Sequence, residues 1–197
     1  VESAPSTWSD DWCDRSNKVI WNIRGMDSTE SFNYWIRGSK EAPYISIRKY
    51  IGSDLNVTIP YEIINLEVRE IGEEAFLNNV DIKSVIMPDS VTKMEKRAFY
   101  NCPDLSSITL SENLLEIPDE TFGYCVGLTS INLPDSVTII GENAFVNCSR
   151  LETINIPSKV TEIKSYAFSS CGFLRKIMIH KNVLIMGYGV FYNCSYD

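Results

Sequence analysis

Apolar side chains fall into register every 23 residues along the last two-thirds of this 197-residue chain. Phenylalanine marks the beat most clearly, at Phe76, Phe99, Phe122, Phe145, Phe168 and Phe191. An aliphatic ladder runs Ile82, Leu105, Leu128, Leu151, Leu174, followed by Val85, Ile108, Ile131, Ile154, Ile177 and by Met87, Leu110, Leu133, Ile156, Ile179. The last two ladders are two residues apart, so they point to one face of a short strand. A second apolar pair, Val91/Met94 in the first copy and Val160/Ile163 in the fourth, predicts a second, shorter strand. The Ala-Phe pairs, such as Ala98–Phe99 and Ala144–Phe145, sit among few β-branched residues and predict a helical turn. A fixed period of this length is the mark of a solenoid, in which each repeat is one coil stacked on the next.

The segment Ile140–Ile163, IGENAFVNCSRLETINIPSKVTEI, carries the whole pattern in one copy. It resembles the BspA-type leucine-rich repeat family, and the resemblance extends from about Ile45 to Cys194. Residues 44–76 likewise look like the opening hairpin and first coil of such proteins. The resemblance implies an α/β solenoid, rich in β-structure: a right-handed leucine-rich-repeat superhelix of about six coils. It also implies a non-enzymatic protein-binding or adhesion module, displayed on or secreted from cells. The family has no single ligand, so a structural spacer or an assembly subunit of a larger surface complex stands as the alternative.

Two domains are expected. Residues 1–45 lack the period and hold all four tryptophans, Trp8, Trp12, Trp21 and Trp35. They are read as a cap with strands at 18–23 and 31–38, aromatics laid on the first coil, because a solenoid's end coil otherwise shows an open apolar face. An aromatic platform for carbohydrate is the sharper alternative for these tryptophans. Residues 46–197 form the solenoid. The polar start at Val1 is read as a mature or trimmed N-terminus, and the stack is expected to be truncated at Asp197 or to continue beyond it. Its uncapped C-terminal end is then a possible site of association.

Cysteines keep the same beat at Cys102, Cys125, Cys148, Cys171 and Cys194, each three residues after a phenylalanine. A ladder spreads thiols along an axis instead of converging them on a metal. They are expected to be buried, unpaired and hydrophobic in role, while Cys13 lies off the ladder and has no assigned role. Asn78, Asn101, Asn147 and Asn193 precede the cysteine slot and are expected to hydrogen-bond turn backbone. Three asparagines fit the N-glycosylation pattern; Asn56 reads as accessible, Asn147 and Asn193 as inward-facing.

The net charge of −8 argues against a general nucleic-acid binder, and no apolar run is long enough to insert in a membrane. His180 is the single histidine, and no phosphate loop, dinucleotide fingerprint or calcium loop is present, so no catalytic site, cofactor or metal is expected. Recognition then falls to the outward positions of the longer strand, on the concave face the family implies. One row reads Ser84, Ser107, Ser130, Thr153, Lys176; the next reads Ile86, Thr109, Asn132, Asn155, Met178. The polar members of these rows are the candidate ligand-binding residues. A second candidate is a basic rim of Arg175, Lys176, His180 and Lys181, facing a stretch from Ala98 to Ser149 that holds seven acidic residues and no lysine or arginine. The expected partner is a protein first, with a glycan as a second possibility; the rim would suit an acidic partner or a sulfated glycan.

Overall fold

The computed structural model describes residues 31–39 and 41–195. The predicted strand at 18–23, Cys13 and three of the tryptophans lie outside the described residues. The chain opens with an antiparallel hairpin, β1 (Phe32–Ser39) and β2 (Ala42–Tyr50). Then come β3 (Asn56–Thr58), β4 (Glu62–Ile63) and β5 (Leu66–Ile71). Thereafter strands alternate. Three-residue strands are β6 (Ser84–Ile86), β8 (Ser107–Thr109), β10 (Ser130–Asn132), β12 (Thr153–Asn155) and β14 (Lys176–Met178). Two-residue strands are β7 (Lys93–Met94), β9 (Glu116–Ile117), β11 (Ile139–Ile140), β13 (Glu162–Ile163) and β15 (Ile185–Met186).

Each set stacks in parallel, one strand per coil. In the long-strand face β3 pairs β6, which pairs β8, and β10 pairs β12, which pairs β14; β8 lies beside β10. In the second face β2 pairs β5, which pairs β7, and β9, β11, β13 and β15 follow in order. β1 adds an antiparallel edge strand to the second face. The solenoid of about six coils is as the period predicts.

The third side of each coil differs from expectation. It is a chain of β-turns and not a helical turn. Between Gly141 and Cys148, the N–H groups of Ala144, Val146 and Cys148 close turns onto the carbonyls of Gly141, Asn143 and Phe145. The intervening N–H groups of Asn143, Phe145 and Asn147 point instead to Ser165, Ala167 and Ser169 of the next coil. Within a helix N–H groups bond along the chain to the carbonyl four residues back, which would take the N–H groups of Phe145 and Asn147 away from the neighbouring coil. The alternation requires left-handed residues: φ is +52° at Asn143 and +56° at Asn147, and the same two slots are positive at Glu74 and Asn78, Arg97 and Asn101, Glu120 and Tyr124, Tyr166 and Ser170, Gly189 and Asn193.

That geometry corrects the reading of the asparagine ladder. Asparagine tolerates positive φ better than other side-chain-bearing residues, and this is what the slot selects. The amides are not tied to turn backbone: Asn101 donates to the Asn78 side chain at 2.7 Å and Asn193 to the Ser170 hydroxyl at 3.3 Å. Asn193 is exposed, not inward-facing, and Asn147 is half-buried.

The core is a column. Phe76, Phe99, Phe122, Phe145 and Phe168 are buried, and the rings of the six ladder phenylalanines stack with centroids 4.6–5.7 Å apart and planes within 20° of parallel. Tyr50 extends the column at 5.4 Å from Phe76, and Phe32 leans on both. Phe32, Tyr34 and Ile36 of β1 face the core. Trp35 does not; it stands half-buried on the outer side of the hairpin, against the expectation that it would lie on the first coil.

Beside the column the thiols of Cys102, Cys125, Cys148 and Cys171 are buried and unpaired, and Cys194 is half-buried. Each donates to the carbonyl of the phenylalanine one coil back at 3.0–3.2 Å, Cys148 to Phe122 for example. Burial pushes the Cys125 and Cys148 thiols well above their usual value and Cys171 up to about 12.

Three outcomes are expected. Phe122→Ala opens a hole between two stacked rings and should cost about 3–5 kcal/mol in denaturant unfolding; a loss within error would show that the column carries no stability. Asn147→Val forces a β-branched residue into a left-handed slot and should cost about 1–2 kcal/mol, whereas Asn147→Gly should cost far less. In a Cys13→Ser background, a thiol reagent at pH 8 should modify Cys194 and spare Cys125 and Cys148 until the chain unfolds. Because the folded thiols hold their protons longer than the unfolded ones, their contribution is complete below the unfolded pKa of about 8.5 and is lost as pH rises towards 12. Stability measured against pH should fall across that window.

Candidate binding surface

The three-residue strands turn their middle residue inward, buried in all but β14 where Ile177 is half-buried, and their two flanking residues outward. Ile108, Ile131 and Ile154 are in the core, while Ser107, Thr109, Ser130, Asn132, Thr153 and Asn155 are exposed. Alternation along the strand makes this unavoidable once one side is buried.

Parallel, in-register pairing within β3–β6–β8 and within β10–β12–β14, with β8 beside β10, places the positions predicted from spacing in two rows. Ser84 pairs with Ser107, Ser130 with Thr153, and Thr153 with Lys176. In the second row Ile86 pairs with Thr109, Asn132 with Asn155, and Asn155 with Met178. Successive members of a row are separated by one strand spacing, about 4.8 Å.

The structure lengthens both rows by one coil. Asn56 pairs with Ser84 and Thr58 with Ile86, and the Ser84 hydroxyl donates to Asn56 Oδ1 at 2.7 Å. Sequence reasoning missed this pair because the first interval is 28 residues, Val57 to Val85, instead of 23. The signal was present in the polar-apolar-polar triplet Asn56-Val57-Thr58, which matches Ser107-Ile108-Thr109.

Among the described residues, the side chains of Ser107, Thr109, Ser130, Asn132, Thr153 and Asn155 make no internal hydrogen bond. Their donors and acceptors are available to whatever lies against the face. The rows end at β14 in exposed Lys176 and Met178. Arg175 and Lys181 are exposed and His180 is half-buried. Among the described residues Arg175, Lys176 and Lys181 have no carboxylate partner, so these three cations give this end of the face its positive charge.

The acidic stretch is partly neutralised from outside itself. Glu120 takes Arg97 of the preceding coil at 3.0 Å, and Asp119 takes Lys164 at 3.4 Å. The paired carboxylates at 119–120 therefore act in ion pairs that tie coils together. No group of three or more histidine, cysteine, aspartate or glutamate side chains is placed to hold a metal among the described residues. No described helix is long and apolar enough to cross a membrane.

Comparison with known proteins agrees with this geometry. The family model for the BspA type leucine rich repeat region matches in six copies over residues 69–196. No curated protein sequence matches the chain significantly. Among solved structures, a leucine rich repeat protein of T. pallidum is 26% identical with a TM-score of 0.69, covering 86% of this chain and 89% of its own. A leucine rich cell surface protein from Faecalibacterium prausnitzii is 36% identical with a TM-score of 0.66, covering 75% of this chain and 39% of its own. The pneumococcal vaccine antigen PcpA shares the fold at 20% identity and a TM-score of 0.73, over 89% of this chain and 49% of its own. The present chain thus spans less than half the length of the last two. With six copies of the repeat covering most of its length, the chain belongs to the BspA-type leucine-rich repeat family.

Proposed function

We propose that this chain is a non-enzymatic protein-binding and adhesion module of a cell-surface or secreted protein, and that it recognises its partner on the long-strand face, the concave face in this reading. One observation carries the reading. Six adjacent strands, in register within each group of three, present two rows, and from Ser107 to Asn155 their short polar side chains make no hydrogen bond among the described residues. Short side chains on fixed strands lose little entropy when a partner orders them, so the surface is preorganised.

Ser84, Ser107, Ser130 and Thr153, with Thr109, Asn132 and Asn155, supply the contact area, and Asn56 and Thr58 extend it. Lys176, with Arg175, His180 and Lys181 beside it, gives the face a cationic end that orients an acidic stretch of the partner. Residues 1–45 serve as the cap of the stack and 46–197 as the solenoid. Burial of Phe32, Tyr34 and Ile36 against the first coil supports that division. The surface location rests on family membership and on the cell-surface description of the F. prausnitzii relative.

The test is a binding panel of extracellular proteins, read by biolayer interferometry, with the chain and its Ser107→Glu/Ser130→Glu variant. Both substitutions are on exposed positions, and circular dichroism should show both proteins folded. A partner of the native chain should bind the variant about tenfold more weakly or worse, since two carboxylates would be desolvated without partners. A partner bound equally by both proteins would remove recognition from this face.

A further inference from the structure

We propose a second ligand site, separate from the long-strand face: a cationic cleft beside Trp35 that takes an anionic saccharide. The cleft is about 860 Å³ and lies on the outer side of the hairpin and first coil. Trp35, Arg37, Arg48, Lys49, Glu73 and Glu95 are the lining residues that matter to the argument.

A β-bulge builds it. In the hairpin Tyr34 pairs with Ile47 but Asn33 pairs with Lys49, so Arg48 is an extra residue in β2. Strict alternation would send Lys49 to the side of Ile45 and Ile47, into the core. The extra residue resets the alternation, so Arg48 and Lys49 are both exposed while Tyr50 returns to the core. Bulges commonly re-aim side chains in this way beside functional sites.

Trp35 then organises the cations. The guanidinium carbons of Arg37 and Arg48 lie 4.9 and 5.3 Å from its ring centroid. The two arginines have different fates. Arg37 is held by Glu70 at 3.2 Å, a carboxylate buried beneath it that also accepts from Ser46 and Tyr44. Among the described residues Arg48 has only the indole. It is a guanidinium positioned by an aromatic face with its N–H edge left for a ligand, which lowers the entropy lost on binding.

Charge accounting decides the ligand's sign. The carboxylates lining the cleft are largely neutralised: Glu73 pairs with Lys96 at 3.1 Å and Glu95 with Lys93 at 2.8 Å, while Glu74, at 3.5 Å, shares Arg97 with Glu120 of the next coil. Among the described residues Arg48 and Lys49 have no carboxylate partner. A chain of net charge −8 therefore places two unpaired cations and a net positive charge in one concave place. Planar guanidinium and ammonium groups side by side fit a sulfate or carboxylate.

The rest of the lining favours a sugar over an acidic peptide. Ala75, Phe76 and Tyr50 also line the cleft, but their side chains are buried in the core, so apart from Trp35 and Leu77 the exposed side chains of the wall are polar or charged. Peptide grooves draw their specificity from apolar anchor pockets, which this wall does not provide. A saccharide presents hydroxyls to the paired carboxylates and to Asn78 and Asn79, and an anionic substituent to Arg48 and Lys49.

Isothermal titration of the full chain with a heparin-derived tetrasaccharide and with tetragalacturonate tests the site. Maltotetraose and a poly-glutamate peptide serve as comparison ligands. At least one anionic saccharide should bind, more weakly as salt rises; which one binds separates sulfate from carboxylate recognition. Arg48→Gln/Lys49→Gln should weaken it by about tenfold or more, and Lys159→Gln, an exposed position outside both sites, should leave it unchanged. In the unaltered chain the saccharide should shift the indole N–H resonance of Trp35, identified by its absence in Trp35→Phe. That readout needs no variant of the cations to fold. Binding of neither saccharide, equal binding of maltotetraose, binding of poly-glutamate alone, undiminished affinity of the Arg48/Lys49 variant, or an unmoved Trp35 resonance would each overturn the proposal.

Discussion

Backbone pairing between successive coils is the constraint from which the rest of this molecule follows. On two sides of the coil it takes the ordinary form of parallel strands. On the third side every second N–H of the turn arc crosses to the next coil, as Phe99 to Thr121, Phe122 to Ala144 and Phe145 to Ala167. A coil that gained or lost one residue within the stack would put all three sides out of register, because buried amides cannot go unpaired. Hence the phenylalanine interval stays constant from Phe76 to Phe191. The first interval on the long-strand side is longer, and there the chain makes the additional β4–β5 hairpin between β3 and β6.

The same pairing explains the chemistry of the interior. Alternation in the arc leaves the phenylalanine carbonyls out of the coil-to-coil ladder, where they accept one turn N–H and have capacity for another donor. The cysteine thiol is small enough to pack beside the rings and supplies that donor, from Cys102 to Phe76 through Cys194 to Phe168. Burial raises the pKa of Cys125, Cys148 and Cys171, so these three thiols stay protonated and unreactive under physiological conditions. The ladder is a structural device.

What the stack leaves to function is its outside. The long-strand face and the hairpin cleft arise by opposite means: strict repetition produces two regular rows, and one extra residue in β2 produces a local concentration of charge. A repeated surface suits a partner that makes many small contacts, and a bulge suits a single anionic group. Buried Glu70 holds Arg37 at the cleft, and the phenylalanine column stacks through successive coils in the core.

Periodicity by itself determined the solenoid, its strands, the buried thiols and the membership of both polar rows, because these depend only on which residues recur at one spacing. Ser107 and Ser130 could be placed on a common surface without coordinates for that reason. The turn arc was not legible: Ala-Phe segments read as helical because propensity sees only local preference, whereas the left-handed slots at Asn143 and Asn147 are imposed by the neighbouring coil. Asn56 and Thr58 escaped notice because an irregular first coil breaks the count. Trp35 was drawn towards the core by its composition, yet strand alternation put it outside. Only the tertiary structure decided that Arg48 and Lys49 share a surface and that the nearby carboxylates are already paired, because a bulge and ion pairs between coils are matters of register that a single strand's sequence does not contain.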